Sequence, residues 1–144
     1  MWIREHDREK MKPFMELLKE QADLLKLCQT QAEQMKNVSS IVDAARARAL
    51  HIGSECITDI GNIIIDACAM RDPSSYTDIL TVLADEGVVD RQLEQELLKI
   101  MQLRKNLVHE YVQLPLNEVR DLASVAVEAF YRCEEQMKYF SEHE

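Results

Sequence analysis

Apolar residues recur along this chain at steps of three and four, broken at only a few places. Phe14, Leu17, Leu18, Leu24, Leu25 and Cys28 keep that step through a first segment, from about Arg4 to Met35. Three- and four-residue steps are the period of an amphipathic helix. Pro13 lies inside the segment and lacks the N–H that an interior turn uses, so a kink or a start near Lys12 is expected. Asn37, Ser39 and Ser40 are all suited to cap a helix. A second helix is expected from about Ser40 to Met70, with Ile41, Ala45, Ala49, Ile52, Cys56, Ile60, Ile63, Ile64 and Ala67 on its apolar face. Gly53 and Gly61 lie within it, and each costs about 1 kcal/mol relative to Ala in a helix interior. Their presence points to a neighbouring helix at close range.

Asp72-Pro73-Ser74-Ser75 ends that helix and supplies caps for the next. A short helix from about Tyr76 to Glu86 should stop at Gly87. Asp90 then caps a fourth helix, expected from Arg91 to Tyr111 or Val112, with Leu93, Leu97, Ile100, Met101, Leu103, Leu107 and Val108 as its core stripe. Leu114-Pro115 breaks the chain. A last helix follows from about Asn117 to Phe140, with Ser141 to Glu144 as a frayed tail. No repeat, low-complexity tract or linker is visible. The expected fold is all-α: one domain over residues 1–144, an antiparallel bundle of four main helices plus a short one.

Composition supports a packed domain. Of 144 residues, 47% are apolar and 30% charged, and three Gly and three Pro leave room for few turns. The net charge of −9 argues against a broad basic face for nucleic acid and against an anionic membrane. RNA would have to be met by a local basic pocket. The four cysteines, at 28, 56, 68 and 133, show no Cys-x-x-Cys spacing, so buried thiols in a reducing compartment are expected rather than disulfides or zinc ligands. The first residues lack the apolar core of a signal peptide. Asp59, Asn62 and Asp66 interrupt the apolar stretch from Ile57 to Met70, which therefore reads as a buried helix and not a membrane span. A cytoplasmic protein is expected.

Candidate chemistry gathers at the end of the fourth helix, where Arg104, Lys105, Asn106, His109 and Tyr111 crowd into two turns. On an unbroken helix Arg104 and Tyr111 share nearly one azimuth, roughly 10 Å apart, and His109 lies about 140° around from Arg104. One straight helix would not easily aim Arg104 and His109 at a single atom, whereas two facing copies could, although long side chains could also converge within one chain. Arginine grips phosphate through a forked donor set and stabilises developing negative charge. Histidine can take a proton from an attacking hydroxyl or give one to a leaving oxygen. Neither role needs a metal or cofactor. Spacing alone also admits a plainer alternative: a solvated arginine and a histidine at the edge of the core. Glu55, Asp59 and Asp66 lack the Glu-x-x-His elements of di-iron bundles, so a polar stripe or contacts to the motif helix is expected of them. His6, His51 and His143 read as ordinary surface or edge residues.

Arg104, His109 and Tyr111 together form an R-x-x-x-x-H-x-Y string that resembles the motif of HepT toxins, in the HEPN superfamily of helical domains. The neighbouring Leu107-Val108 and Glu110 fit that resemblance. So do Glu55, Asp59, Gly61-Asn62 and Asp66 on the second helix. The Arg71-Asp72-Pro73-Ser74-Ser75-Tyr76 link resembles a Bacillus-type branch of the family. The resemblance implies a helical homodimer whose motifs meet across a cleft. It implies a metal-independent RNase, acting on RNA such as tRNA and leaving 2′,3′-cyclic phosphate ends. Arg104 would clamp phosphate and His109 would be the acid/base. An MntA-like nucleotidyltransferase antitoxin would transfer AMP to Tyr111. The family usually carries a small polar residue, often Asn, directly after the arginine. Here Lys105 stands there and Asn106 follows, and both are candidate phosphate contacts. The alternative is a non-catalytic helical dimer that binds a nucleotidyltransferase or a nucleotide.

Overall fold

A computed structural model describes residues 3–34 and 39–143. The helices are α1 (Glu5–Gln34), α2 (Ser39–Ala67), α3 (Asp78–Asp85), α4 (Arg91–Gln102), α5 (Arg104–Val108) and α6 (Leu116–His143), with a 3-10 turn at Tyr111–Gln113. Met35, Asn37 and Glu144, which enter the expectations above, lie outside the described residues.

Helix α1 is continuous through Pro13 instead of starting at Lys12. The Pro13 ring lies on the exposed side, while Met11, Met15 and Leu18 on the other side are buried. Burial of that stripe offsets the hydrogen bond that Pro13 cannot make. Helix α2 begins one residue earlier than expected and ends at Ala67. There Ala69 takes a left-handed φ of 51°, and the Met70 N–H returns to the Ile65 carbonyl at 3.0 Å. That is a Schellman closure without glycine. Ile41 is 68% exposed, against expectation, because the register of α2 turns Val42 and Asp43 inward instead. Gly87 does end α3, with φ 76° and the Val88 N–H bonded to the Leu83 carbonyl at 2.8 Å. Asp90 caps α4 as expected, accepting from the Leu93 N–H at 2.7 Å.

Long-range contacts set the helix directions. Arg8 Nε donates to the Ser141 carbonyl at 2.9 Å, which joins the start of α1 to the end of α6. Gln29 and Ser124 meet at the opposite end. Helix α6 therefore runs antiparallel to α1 and alongside α2 in the same direction, as diagonal members of an up-down bundle do. Arg120 binds Asp43 from 77 positions away, and the Gly53–Phe130 contact keeps the same offset one stretch further along. Both glycines are close-packed: a Cβ on Gly61 would stand 2.8 Å from Ile79 Cγ2, and one on Gly53 would meet the Phe130 ring. The expected fraying after Phe140 does not occur at residues 141–143. Ser141 is buried, and its carbonyl is the Arg8 acceptor, so α6 continues to His143.

The expected fourth helix is two helices, and it ends early. Leu103 is 1% exposed and its N–H reaches the Ile100 carbonyl at 3.1 Å, a tightened turn that separates α4 from α5. After Val108 the N–H groups of His109 and Glu110 both point to the Lys105 carbonyl, each at 2.9 Å. Pro115 holds Leu114 extended, at φ −66° and ψ 122°. The chain cannot carry a helix into that segment, so Tyr111 sits in the 3-10 turn.

Candidate active site

Helix α5 buries none of its own side chains, yet Arg104 is firmly held. Its Nε–H donates to Glu55 Oε1 on α2 at 2.9 Å. Its guanidinium carbon lies 4.3 Å from the ring centroid of Tyr76, in the link before α3. The Tyr76 hydroxyl donates to the same Glu55 oxygen at 3.2 Å, and His51 Nε2 stands 3.7 Å from it, one turn earlier on α2. One carboxylate thus gathers an arginine, a phenol and an imidazole. The Glu55 hydrogen bond raises the Arg104 pKa further, keeping it charged. Burial, and then the Glu55 charge, push the Tyr76 phenol well above its ordinary value, so it remains a neutral donor.

The link that carries Tyr76 is itself fastened. Arg71 grips Asp78 through two hydrogen bonds, at 2.7 and 3.0 Å, and Asp78 also accepts from the N–H and hydroxyl of Ser74. The Arg71 guanidinium holds the Asp78 carboxyl far below the usual carboxylate range.

The remaining motif residues point outward. His109 is exposed at the C-terminal end of α5, and Tyr111 is 67% exposed in the 3-10 turn. Lys105 is exposed and pairs with Glu110 at 3.2 Å, while Asn106 is half-buried. Among the described residues no hydrogen bond or ion pair joins Arg104, His109 and Tyr111 to one another. The break at Leu103 and the turn after Val108 also remove the shared azimuth that one straight helix would give Arg104 and Tyr111. The structure instead joins Arg104 to Glu55, Tyr76 and His51. Of these, sequence reasoning read Glu55 as a polar stripe or a motif-helix contact, Tyr76 as part of a link, and His51 as ordinary. The available signal was a glutamate one turn after a histidine within an apolar helix; its partner lies 49 positions away. Among the described residues no group of His, Cys, Asp or Glu is placed to hold a metal, and no helix is long and apolar enough to cross a membrane. All four cysteines are buried, and burial pushes the Cys56 thiol up to about 11.

A family model described as "Ribonuclease HepT-like" matches residues 17–137, which include the Arg104 cluster and at least part of every helix of the bundle. The chain belongs to the HepT-like family. Within this family it is 46% identical, over 74 residues, to the candidate RNase YutE of Bacillus subtilis (strain 168); that match spans 51% of this chain and 51% of YutE. The solved structure of YutE, described as a cytosolic protein of unknown function, superposes with a TM-score of 0.84 at 31% identity, covering 99% of this chain and 94% of that one. Two further structures share the HEPN fold. A toxin–antitoxin structure with AMP-PNP gives a TM-score of 0.74 at 21% identity, over 88% of this chain and 96% of that one. A tri-AMPylated Shewanella oneidensis HEPN toxin in complex with MNT antitoxin gives 0.69 at 22% identity, over 89% and 96%.

Proposed function

We propose that this protein is a metal-independent endoribonuclease of the HepT type, cytoplasmic, built as a homodimer with Arg104 and His109 as its working pair. One observation carries the reading: a guanidinium fixed at the surface by Glu55 and Tyr76, with an exposed imidazole at the end of the same short helix. Arg104 binds the scissile phosphate and stabilises its developing charge. The 2′-oxygen of the RNA attacks the adjacent phosphorus. A bond forms to that oxygen, the bond to the 5′-oxygen breaks, and a 2′,3′-cyclic phosphate results. One His109 takes the 2′-hydroxyl proton and the partner's His109 protonates the leaving oxygen. Lys105 and Asn106 contact neighbouring phosphates. Transfer of RNA, tRNA included, into the cleft is opposed when a nucleotidyltransferase antitoxin modifies Tyr111. Its phenolic oxygen attacks the α-phosphorus of ATP, pyrophosphate leaves, and the phenol proton passes to solvent. The added negative charge and bulk oppose the approach of RNA phosphates.

The test is RNA cleavage by wild type, Arg104→Ala and His109→Ala in EDTA. Cleavage by wild type alone is expected. Intact RNA with wild type would overturn the proposal. Mixing the two inactive variants tests the shared cleft. Because the proposed step takes one His109 from each protomer, a mixed dimer keeps only one His109 and lacks its acid or its base, so the rate should stay far below wild type. A return of about a quarter of the wild-type rate would mean instead that one His109 per site suffices.

A second reading, a non-catalytic dimer that binds a nucleotidyltransferase or a nucleotide, is favoured by the carboxylates on both motif cations. Arg104 is paired with Glu55 and Lys105 with Glu110, which reduces the positive charge available to RNA. Variants at 104 and 109 that bind such a partner like wild type, with no cleavage by any of them, would select it.

A further inference from the structure

The Arg104 cluster has a division of labour that the motif itself does not contain. A long arginine on a short exposed helix would sample many rotamers and would lose that freedom each time it bound a phosphate. Here the freedom is already gone. Glu55 takes the Nε edge of the guanidinium at 2.9 Å, and the guanidinium carbon lies over the Tyr76 ring, 4.3 Å from its centroid. The η nitrogens are the edge left for an anion, approached in the plane of the group, where bidentate phosphate recognition operates. Glu55 also carries a cost. Its negative charge lies close to any phosphate on Arg104 and repels it. The two hydrogen bonds that Glu55 accepts, from Arg104 and from Tyr76, spread that charge over donors already present. The link bearing Tyr76 is closed by the Arg71–Asp78–Ser74 contacts, so the stacking ring has a fixed base.

We infer that Glu55 and Tyr76 are positioning residues that present the η edge of Arg104 to a phosphate, with Arg71 and Asp78 acting one layer behind through the Tyr76 link. The inference rests on the ribonuclease reading for its purpose, but the clamp on Arg104 can be measured without activity.

Two measurements on the full chain test it. The first is the Nε–H signal of Arg104 in a 15N-resolved NMR spectrum, assigned with Arg104→Lys. In wild type this proton should exchange slowly with water. Glu55→Gln should speed its exchange at least about tenfold and Tyr76→Ala by less, while Tyr76→Phe, which keeps the ring, stays close to wild type. Exchange unchanged in Glu55→Gln and in Tyr76→Ala overturns the clamp, whether or not the protein cuts RNA. The second is RNA cleavage. Glu55→Gln should lower kcat by roughly tenfold to a hundredfold, with thermal stability close to wild type and partial recovery in Glu55→Asp. A rise in kcat with Glu55→Gln overturns the inference and makes Glu55 a competitor for the arginine. A wild type that leaves RNA intact defeats the ribonuclease reading alone, and the exchange measurement still decides the clamp.

Discussion

Gly53 of α2 and Phe130 of α6 touch so closely that a Cβ added to the glycine would stand 2.6 Å from the Phe130 ring tip. Phe130 is fully buried and cannot swing aside into solvent. This contact draws the two same-direction helices together beside the carboxylate that holds Arg104. Glu55 lies only two residues beyond Gly53, so the spacing of α2 and α6 bears on where the site carboxylate stands.

Gly53→Ala should therefore destabilise the protein even though alanine is the better helix former. The overlap with Phe130 costs about 1–3 kcal/mol, against the roughly 1 kcal/mol gained in helix propensity. Urea unfolding of the variant should show a lower midpoint. Gly53→Ala with Phe130→Leu should recover part of the loss, because the smaller side chain makes room.

Asp43 lies buried between Arg46 at 3.1 Å and Arg120 at 2.9 and 2.6 Å. The Arg120 hydrogen bond, ahead of the opposing effect of burial, holds its carboxyl below the usual value. A carboxylate with a depressed folded-state pKa stabilises the fold above its unfolded pKa, near 4, and that contribution is lost as pH falls through the lower folded value. Asp43→Asn should cost on the order of 1–3 kcal/mol at pH 7. The gap between wild type and variant should close as the pH is lowered from about 4. Thermal melts across pH 2–7 read this directly, and a gap that stays constant would contradict it.

Pro13 sits inside α1 on its exposed side. Pro13→Ala returns an N–H to the Glu9 carbonyl and should stabilise the protein. Interior proline costs about 3 kcal/mol in a helix, and its stiffening of the unfolded chain returns up to about 1, so a gain of about 2 kcal/mol is expected. The check is the unfolding midpoint, with an unchanged helical circular dichroism spectrum.

His109 and Tyr111 are exposed, and among the described residues their side chains make no hydrogen bond or ion pair. His109→Ala and Tyr111→Phe should each change stability by less than about 0.5 kcal/mol. Activity lost in His109→Ala at unchanged stability then belongs to the chemistry and not to the fold.

The order of the main helices was legible because helix signals are local. Side chains three and four apart share a face, Asp90 bonds the N–H three residues on, and Gly87 supplies the left-handed residue that closes α3. The two glycines of α2 also announced close neighbours, though not which ones. Ile41 misled because an apolar residue at a helix start fits the stripe by period, while the packing of α6 decides which residues of that turn are covered.

For the site, the sequence by itself determined the residues of the motif, since Arg104, His109 and Tyr111 are neighbours along the chain, and it marked the family to which the chain belongs. The tertiary structure decided the rest. Burial of Leu103 splits the fourth helix, and the turn before Pro115 carries Tyr111 off the helical path. Packing of α5 on α2 places Glu55 against Arg104, and the link before α3 brings Tyr76 to it. These contacts join positions far apart in the chain, and their partners are chosen by which faces the bundle buries together. No spacing rule within a single helix reaches that far, so the motif was visible in the sequence and the clamp that holds its arginine was not.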